Sequence, residues 1–271
     1  MTAPITLLVD NGSLEPAATL GLRALAAQLA ARLGNAVEPV SLLHSSAIEP
    51  GQLGGRAAEI LFPALEDRYC AGQNDFLVLP LFFGPSRALT DYIPENLARL
   101  REKFPELKVR VAAPLYDATD DRLARILVEQ IVTEMISFAS ARIVVVDHGS
   151  PVPAVTAVRN ELAREAGRLL GSHIVVTPAS MERRPEPEYD FCNPLLADLL
   201  RTPPWNAGPV IIAMQFLLPG RHAGPEGDVA QICRAAEAAN PELKTRMTEL
   251  VAEHPLLVEI LVDRWSAAQS G

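Results

Sequence analysis

The feature that most constrains this chain is that it says the same thing twice. ITLLVDNGSLEP, starting at Ile5, returns as IVVVDHGSPVP, starting at Ile143, with an offset of 147 − 10 = 137 between Asp10 and Asp147. PELK recurs from Pro105 to Pro241, an offset of 136, and FLVLPLFFGPSRA aligned with VIIAMQFLLPGRHA sets Arg87 against His222, an offset of 135. Three anchors this close to one offset specify two homologous halves. In a chain of 271 residues each half has ordinary domain size. The boundary falls near residues 136–141, so the sequence predicts an N-terminal unit over 1–138 and a C-terminal unit over 139–271. No Pro/Gly/Ser-rich linker separates them, which predicts close packing.

Within each half, short apolar runs alternate with amphipathic stretches. Ile143–Val146 ends at the polar turn DHGSPVP and is followed by AVTAVRNELAREAGRLL. Apolar residues there recur at Val155, Val158, Leu162, Ala166 and Leu169, the spacing of one helical face, with Ser150 or the prolines behind it to start the helix. Further strands are predicted at His173–Thr177 and Val210–Phe216, a short helix over Pro194–Leu200, and a helix from Asp228, before a weaker final strand and helix. The first half matches with strands at Ile5–Val9, Phe76–Leu81 and Val109–Ala112. Continuous apolar strands alternating with helices indicate a mainly parallel sheet covered on both faces. The expected fold is therefore α/β: two tandem α/β/α units with a cleft between them. In such sheets ligands lie beyond the carboxyl ends of the strands.

That rule singles out the loop after Val146, with Asp147, His148, Gly149 and Ser150, and the loop after Phe216, with Pro219, Gly220, Arg221 and His222. Glu182 follows the second strand at the same edge. Two imidazoles and a carboxylate suit a divalent first-row ion such as iron, cobalt or nickel, and the imidazoles equally suit general bases. Each also has a plainer reading: a strand-end histidine is often a hydrogen-bonded loop residue, and Glu182 beside Arg183 and Arg184 reads as a solvated ion pair. His44, His173 and His254 read as structural. Cys192 and Cys233 read as small buried side chains. GxGxxG, GxxxxGK[ST] and GxSxG are all missing, so nucleotide binding and α/β-hydrolase chemistry lack their signatures.

Composition narrows the class further. With 24 Lys and Arg against 33 Asp and Glu the formal charge is −9, which argues against nucleic acid or an anionic membrane as partner. Three widely spaced cysteines, Cys70, Cys192 and Cys233, give neither a disulfide framework nor a CxxC pair, so a reducing compartment fits. The run Ile5–Val9 is short for a signal peptide and no stretch reaches membrane-spanning length. The expectation is a cytoplasmic protein, monomeric or homodimeric.

At DHGS, at FLLPGRHAGPEGDV and in the duplication, the sequence resembles the class II tetrapyrrole chelatases, in particular the sirohydrochlorin cobalto- and ferrochelatases of the CbiX/SirB type in their long, two-repeat form. The resemblance implies a lyase that inserts a divalent metal (Co2+, Fe2+ or Ni2+) into sirohydrochlorin or a related tetrapyrrole in cobalamin or sirohaem biosynthesis. The metal enters as substrate, and neither ATP or another nucleotide nor an organic cofactor is implied. Carried over, His148 and His222 match the family's histidine pair, with Glu182 as a further metal ligand. Ser150, Arg183, Arg184, Arg221 and Arg87 are the expected contacts to the carboxylates of the macrocycle, which guanidinium groups bind at two points. This sequence departs from the family pattern in its first half, where Asn11 stands in the motif-histidine position and Arg87 opposite His222. One active site per chain is therefore expected, in the C-terminal half. The alternative is a non-catalytic metal- or tetrapyrrole-binding protein derived from the chelatases.

Overall fold

A computed structural model describes residues 4–138 and 140–270. Strand β1 (Ile5–Asp10) is buried along nearly its whole length, as a strand must be when helices cover both faces of its sheet. It leads into α1 (Pro16–Leu33), which has proline in its first turn and ends at Gly34. Gly34 is left-handed (φ 66°), and its N–H donates to the Ala30 carbonyl at 2.9 Å. β2 (Val37–Ser41), α2 (Leu61–Cys70), β3 (Asp75–Pro80), α3 (Ile93–Lys103) and β4 (Lys108–Val111) follow. The strands pair in parallel in the order β2-β1-β3-β4. Leu61 and Leu65 of α2 with Ile93, Leu97 and Leu100 of α3 form a core against Leu7, Val9 and Val78.

The second sheet repeats this plan. After α4 (Arg122–Met135) come β5 (Arg142–Asp147), α5 (Pro153–Leu170), β6 (Val176–Ser180), α6 (Leu196–Leu199), β7 (Gly208–Met214), α7 (Asp228–Ala239), β8 (Leu243–Met247) and α8 (Pro255–Ser270). The order is β6-β5-β7-β8, again all parallel. α6 and α7 pack on one face around Val144, Val146, Ile212 and Met214.

The last helix of each repeat does not stay with its own sheet. Packing divides the chain into residues 1–115 with 258–271, and residues 116–257. α4 follows β4 but packs on α5 and β7, and its Gln130 amide donates to the Leu250 carbonyl at 3.0 Å. α8 follows β8, yet its Trp265 indole N–H donates to Thr6 Oγ1 of β1 at 2.9 Å. Arg264 donates to the carbonyls of Pro114 and Leu115, and Glu259 pairs with Arg32 of α1 at 2.9 Å. The packing division is thus not the repeat boundary drawn at 138/139, because each sheet is covered by the other repeat's last helix.

Two strands differ from the expectation. β2 has no counterpart among the predicted strands, and β6 lies three residues later than His173–Thr177. Both are edge strands carrying a proline, Pro39 opposite Leu8 and Pro178 opposite Val145. An edge tolerates proline because the missing N–H would face away from the ladder, and such a strand reads poorly as an apolar run. The register of β6 is fixed by β5, which ends with Asp147 opposite Ser180. Among the described residues, no helix is long and apolar enough to cross a membrane.

Candidate active site

The strand order decides where a ligand can sit. From β5 the chain crosses to β6 on one side and then returns to β7 on the other, so the loops after β5 and β7 part at a switch point. His148 is the first residue beyond β5, and His222 lies in the loop between β7 and α7. The two rings, 222 − 148 = 74 residues apart in sequence, lie with centroids 4.5 Å apart at an interplanar angle of 53°. Glu182, just past β6, places Oε1 3.3 Å from His148 Nε2. Their side chains are 47% and 59% exposed, so the group opens to solvent.

His148 Nδ1 sits 3.0 Å from the Gly149 carbonyl oxygen while Nε2 faces the Glu182 carboxylate. Both partners are acceptors, so a neutral ring can donate to only one of them. Among the described residues no set of three or more His, Cys, Asp or Glu side chains is arranged to hold a metal ion. The arrangement is two adjacent imidazoles flanked by a carboxylate, open rather than caged.

Gly149 holds this geometry together. Its φ is +95°, and a Cβ there would overlap the carbonyl oxygen of Glu182. The close approach lets Glu182 N–H donate to the His148 carbonyl at 3.1 Å and Met181 N–H to that of Asp147 at 2.8 Å. The segment bearing Glu182 is thereby zipped to the one bearing His148.

Beneath the zipper lies a charge pair that sequence reasoning did not anticipate. Arg159 of α5 is 1% exposed, and its Nη1 is 3.6 Å from Asp147 Oδ1. Arg159 also donates to Ser180 Oγ and, at 2.9 Å, to the Cys192 carbonyl, while Ser180 Oγ donates to Asp147 at 2.8 Å. Burial pushes the Asp147 pKa up, and Arg159 and Ser180 oppose that rise. The signal was present: position 159 falls on the apolar stripe of α5 between Val155 and Leu162, where a charge must find a partner. Asp228 was also missed. This first residue of α7 accepts from His222 Nδ1 at 2.7 Å, and Arg221 Nε is 3.7 Å from the same oxygen.

The remaining candidates are placed differently. Arg183 donates to Asn193 Oδ1 at 3.2 Å and pairs with Asp190 at 3.0 Å. Arg184 lies over the Tyr189 ring at 5.4 Å and donates to its hydroxyl at 3.3 Å. Both are therefore held within the segment that follows Glu182. Arg221 is 79% exposed in the His222 loop. Ser150 Oγ accepts from Val152 N–H at 3.1 Å, tying the turn to the start of α5. Arg87 is exposed in the first unit, whereas both histidines belong to the second. His254 pairs with Glu129 at 3.2 Å.

Sheet pairing corrects one alignment. Val9 pairs with Pro80 and Val146 with Met214, so β3 maps onto β7 at an offset of 214 − 80 = 134 rather than 135. Extended from the strand, this register sets Arg87 opposite Arg221 and Ala88 opposite His222. Beyond it the loops diverge, since the first enters a helical turn at Ala88 while the second stays irregular as far as Asp228. Leu43 N–H donates to the Asn11 carbonyl as Glu182 N–H does to that of His148, which makes Leu43 the counterpart of Glu182. Asn11, Leu43 and Ala88 thus replace all three candidate ligands in the first unit.

The family model CbiX matches residues 5–134 and 142–268, one span per repeat. No curated protein matches the sequence. Among solved structures the fold is shared with SirB from Bacillus subtilis with Fe3+, at TM-score 0.71 and 15% identity over 98% of this chain and 96% of that one. SirB from Bacillus subtilis subspecies spizizenii in complex with cobalt gives TM-score 0.71 and 16% identity, covering 99% and 96%. CbiX, the terminal enzyme for biosynthesis of siroheme in denitrifying bacteria, gives 0.62 and 19%, covering 97% and 99%. With both repeats matched along nearly their full length, the chain belongs to the CbiX family.

Proposed function

We propose that this chain inserts cobalt, iron or nickel, as the divalent ion, into sirohydrochlorin or a related tetrapyrrole, without ATP, at the carboxyl edge of its second sheet. The observation that carries the reading is the pair of imidazoles, His148 and His222, converging at 4.5 Å from loops distant in sequence. Of the solved structures that share the fold, SirB in complex with cobalt is described as a sirohydrochlorin chelatase, and SirB is also described with Fe3+.

Insertion exchanges one M2+ for two pyrrole N–H protons, so the site must deliver a cation and accept protons at near-neutral pH. Imidazole as a chemical group can do both, being a borderline-soft ligand and a general base suited to neutral pH. His148 and His222 take the incoming ion, with the Glu182 carboxylate beside His148. Because they form an open set and not a four-ligand cage, their hold stays weak enough for the macrocycle to compete. Arg184 and Arg221, exposed near this edge, supply guanidinium groups for the carboxylates of the substrate, which the net charge of −9 would otherwise repel.

Anaerobic turnover followed by the visible absorbance of the macrocycle tests the reading. Wild-type protein is expected to accelerate Co2+ or Fe2+ insertion, and His148→Ala and His222→Ala to return the rate to background. Stoichiometric binding of metal or macrocycle without turnover would instead identify a binding protein. Unchanged rates in both variants would overturn the site.

A further inference from the structure

Building on the metal-handling role proposed for His222, we infer that Asp228 is a positioning residue. It fixes His222 as the Nδ1–H tautomer and so keeps Nε2 as the lone-pair nitrogen at the site. The contact is short, 2.7 Å between Nδ1 and Oδ2. A carboxylate oxygen only accepts, so the proton of a neutral ring must lie on Nδ1. An unconstrained neutral imidazole favours the opposite tautomer, with the proton on Nε2. Here that would turn a donor toward an incoming cation, and Asp228 removes the mismatch. A carboxylate behind an imidazole also holds the ring plane.

The backbone around the pair is built to keep it. Asp228 N–H donates to the Arg221 carbonyl at 3.2 Å and Val229 N–H to that of His222 at 3.3 Å, so the loop itself closes the first turn of α7. Gly227 makes the approach possible, because a Cβ there would come within 2.7 Å of the His222 carbonyl oxygen. No side chain caps α7, and the Asp228 carboxylate is turned to the imidazole. A negative charge in the first turn is also favoured by the helix dipole. Arg221 approaches the same oxygen at 3.7 Å but is largely exposed, so it leaves His222 as the close partner.

The test uses the full chain labelled with 15N-histidine, with the His222 signals assigned by their loss in His222→Gln. Long-range 1H–15N spectra at slightly alkaline pH are expected to show a pyrrole-type Nδ1 and a pyridine-type Nε2. Asp228→Ala should move His222 toward the Nε2–H form and weaken Co2+ binding by about 10–100-fold. Asp228→Asn, which keeps an acceptor oxygen, should retain the tautomer and recover much of the affinity. A wild-type His222 protonated at Nε2, or a tautomer unmoved by Asp228→Ala in a protein that still folds, would overturn the inference. The tautomer as described in a protein without chelatase turnover would sink the proposed activity alone.

Discussion

Arg159 and Asp147 meet in the interior beneath the strand end that carries His148, whereas in the first unit Leu22 occupies the position of Arg159 by the 137-residue offset, and among the described residues no arginine pairs with Asp10. One arrangement thus appears once with a counter-ion and once without.

Removing the arginine should be costly. Arg159→Leu copies the first unit's arrangement but leaves Asp147 buried beside Ser180 without its counter-ion. A loss of about 3–5 kcal/mol is expected at neutral pH, read by urea denaturation. Part of it should return on acidification as Asp147 takes up a proton. A stability equal to wild type at both pH values would contradict the role given to the pair.

Asp10 supplies the opposite test. Burial raises its pKa from 3.8 to about 6, and its Oδ1 has no hydrogen-bond partner among the described residues. The folded state therefore favours the protonated form: its stabilising share is fully present below pH 3.8 and is lost as pH rises through about 6. The shift corresponds to roughly 3 kcal/mol. Asp10→Asn should remove this pH dependence and stabilise the protein above pH 7, as measured by the denaturation midpoint across a pH series.

Gly149→Ala places a side chain against the Glu182 carbonyl at a backbone angle L residues avoid. It should cost at least about 1–3 kcal/mol and weaken Co2+ binding, because the His148–Glu182 zipper must open. Gly12→Ala, with the same conflict at Leu43, should cost comparable stability while leaving Co2+ affinity intact. Calorimetric titration of both variants checks the contrast.

The three thiols should separate cleanly. Cys70 is exposed and should react with a disulfide reagent at once, while Cys192 and Cys233 are buried and should react only on unfolding. Burial also pushes the Cys233 pKa up to about 11, keeping it a thiol.

What could be read from the sequence followed its physics. β1, β3, β5 and β7 are central strands whose apolar runs announce themselves, and the DHGS and PGRH turns at their ends pointed to His148 and His222. The edge strands β2 and β6 carry prolines and polar residues, so their positions emerged only from pairing. Asp228 was hidden because its role depends on a turn between it and His222, and turn geometry has no periodicity to read. Matching Arg87 to His222 misses by one residue because a short turn motif carries no register of its own, whereas strand pairing leaves no freedom. The destination of α4 and α8 lay outside any local signal, since either sheet offers the same apolar surface to an amphipathic helix.

That crossed allegiance of helices has a genetic corollary. A gene fragment ending at residue 138 would encode a sheet stripped of its Trp265 anchor together with an orphan helix made to cover something else. Neither half would be an autonomous folding module, and co-expressed fragments should rescue one another.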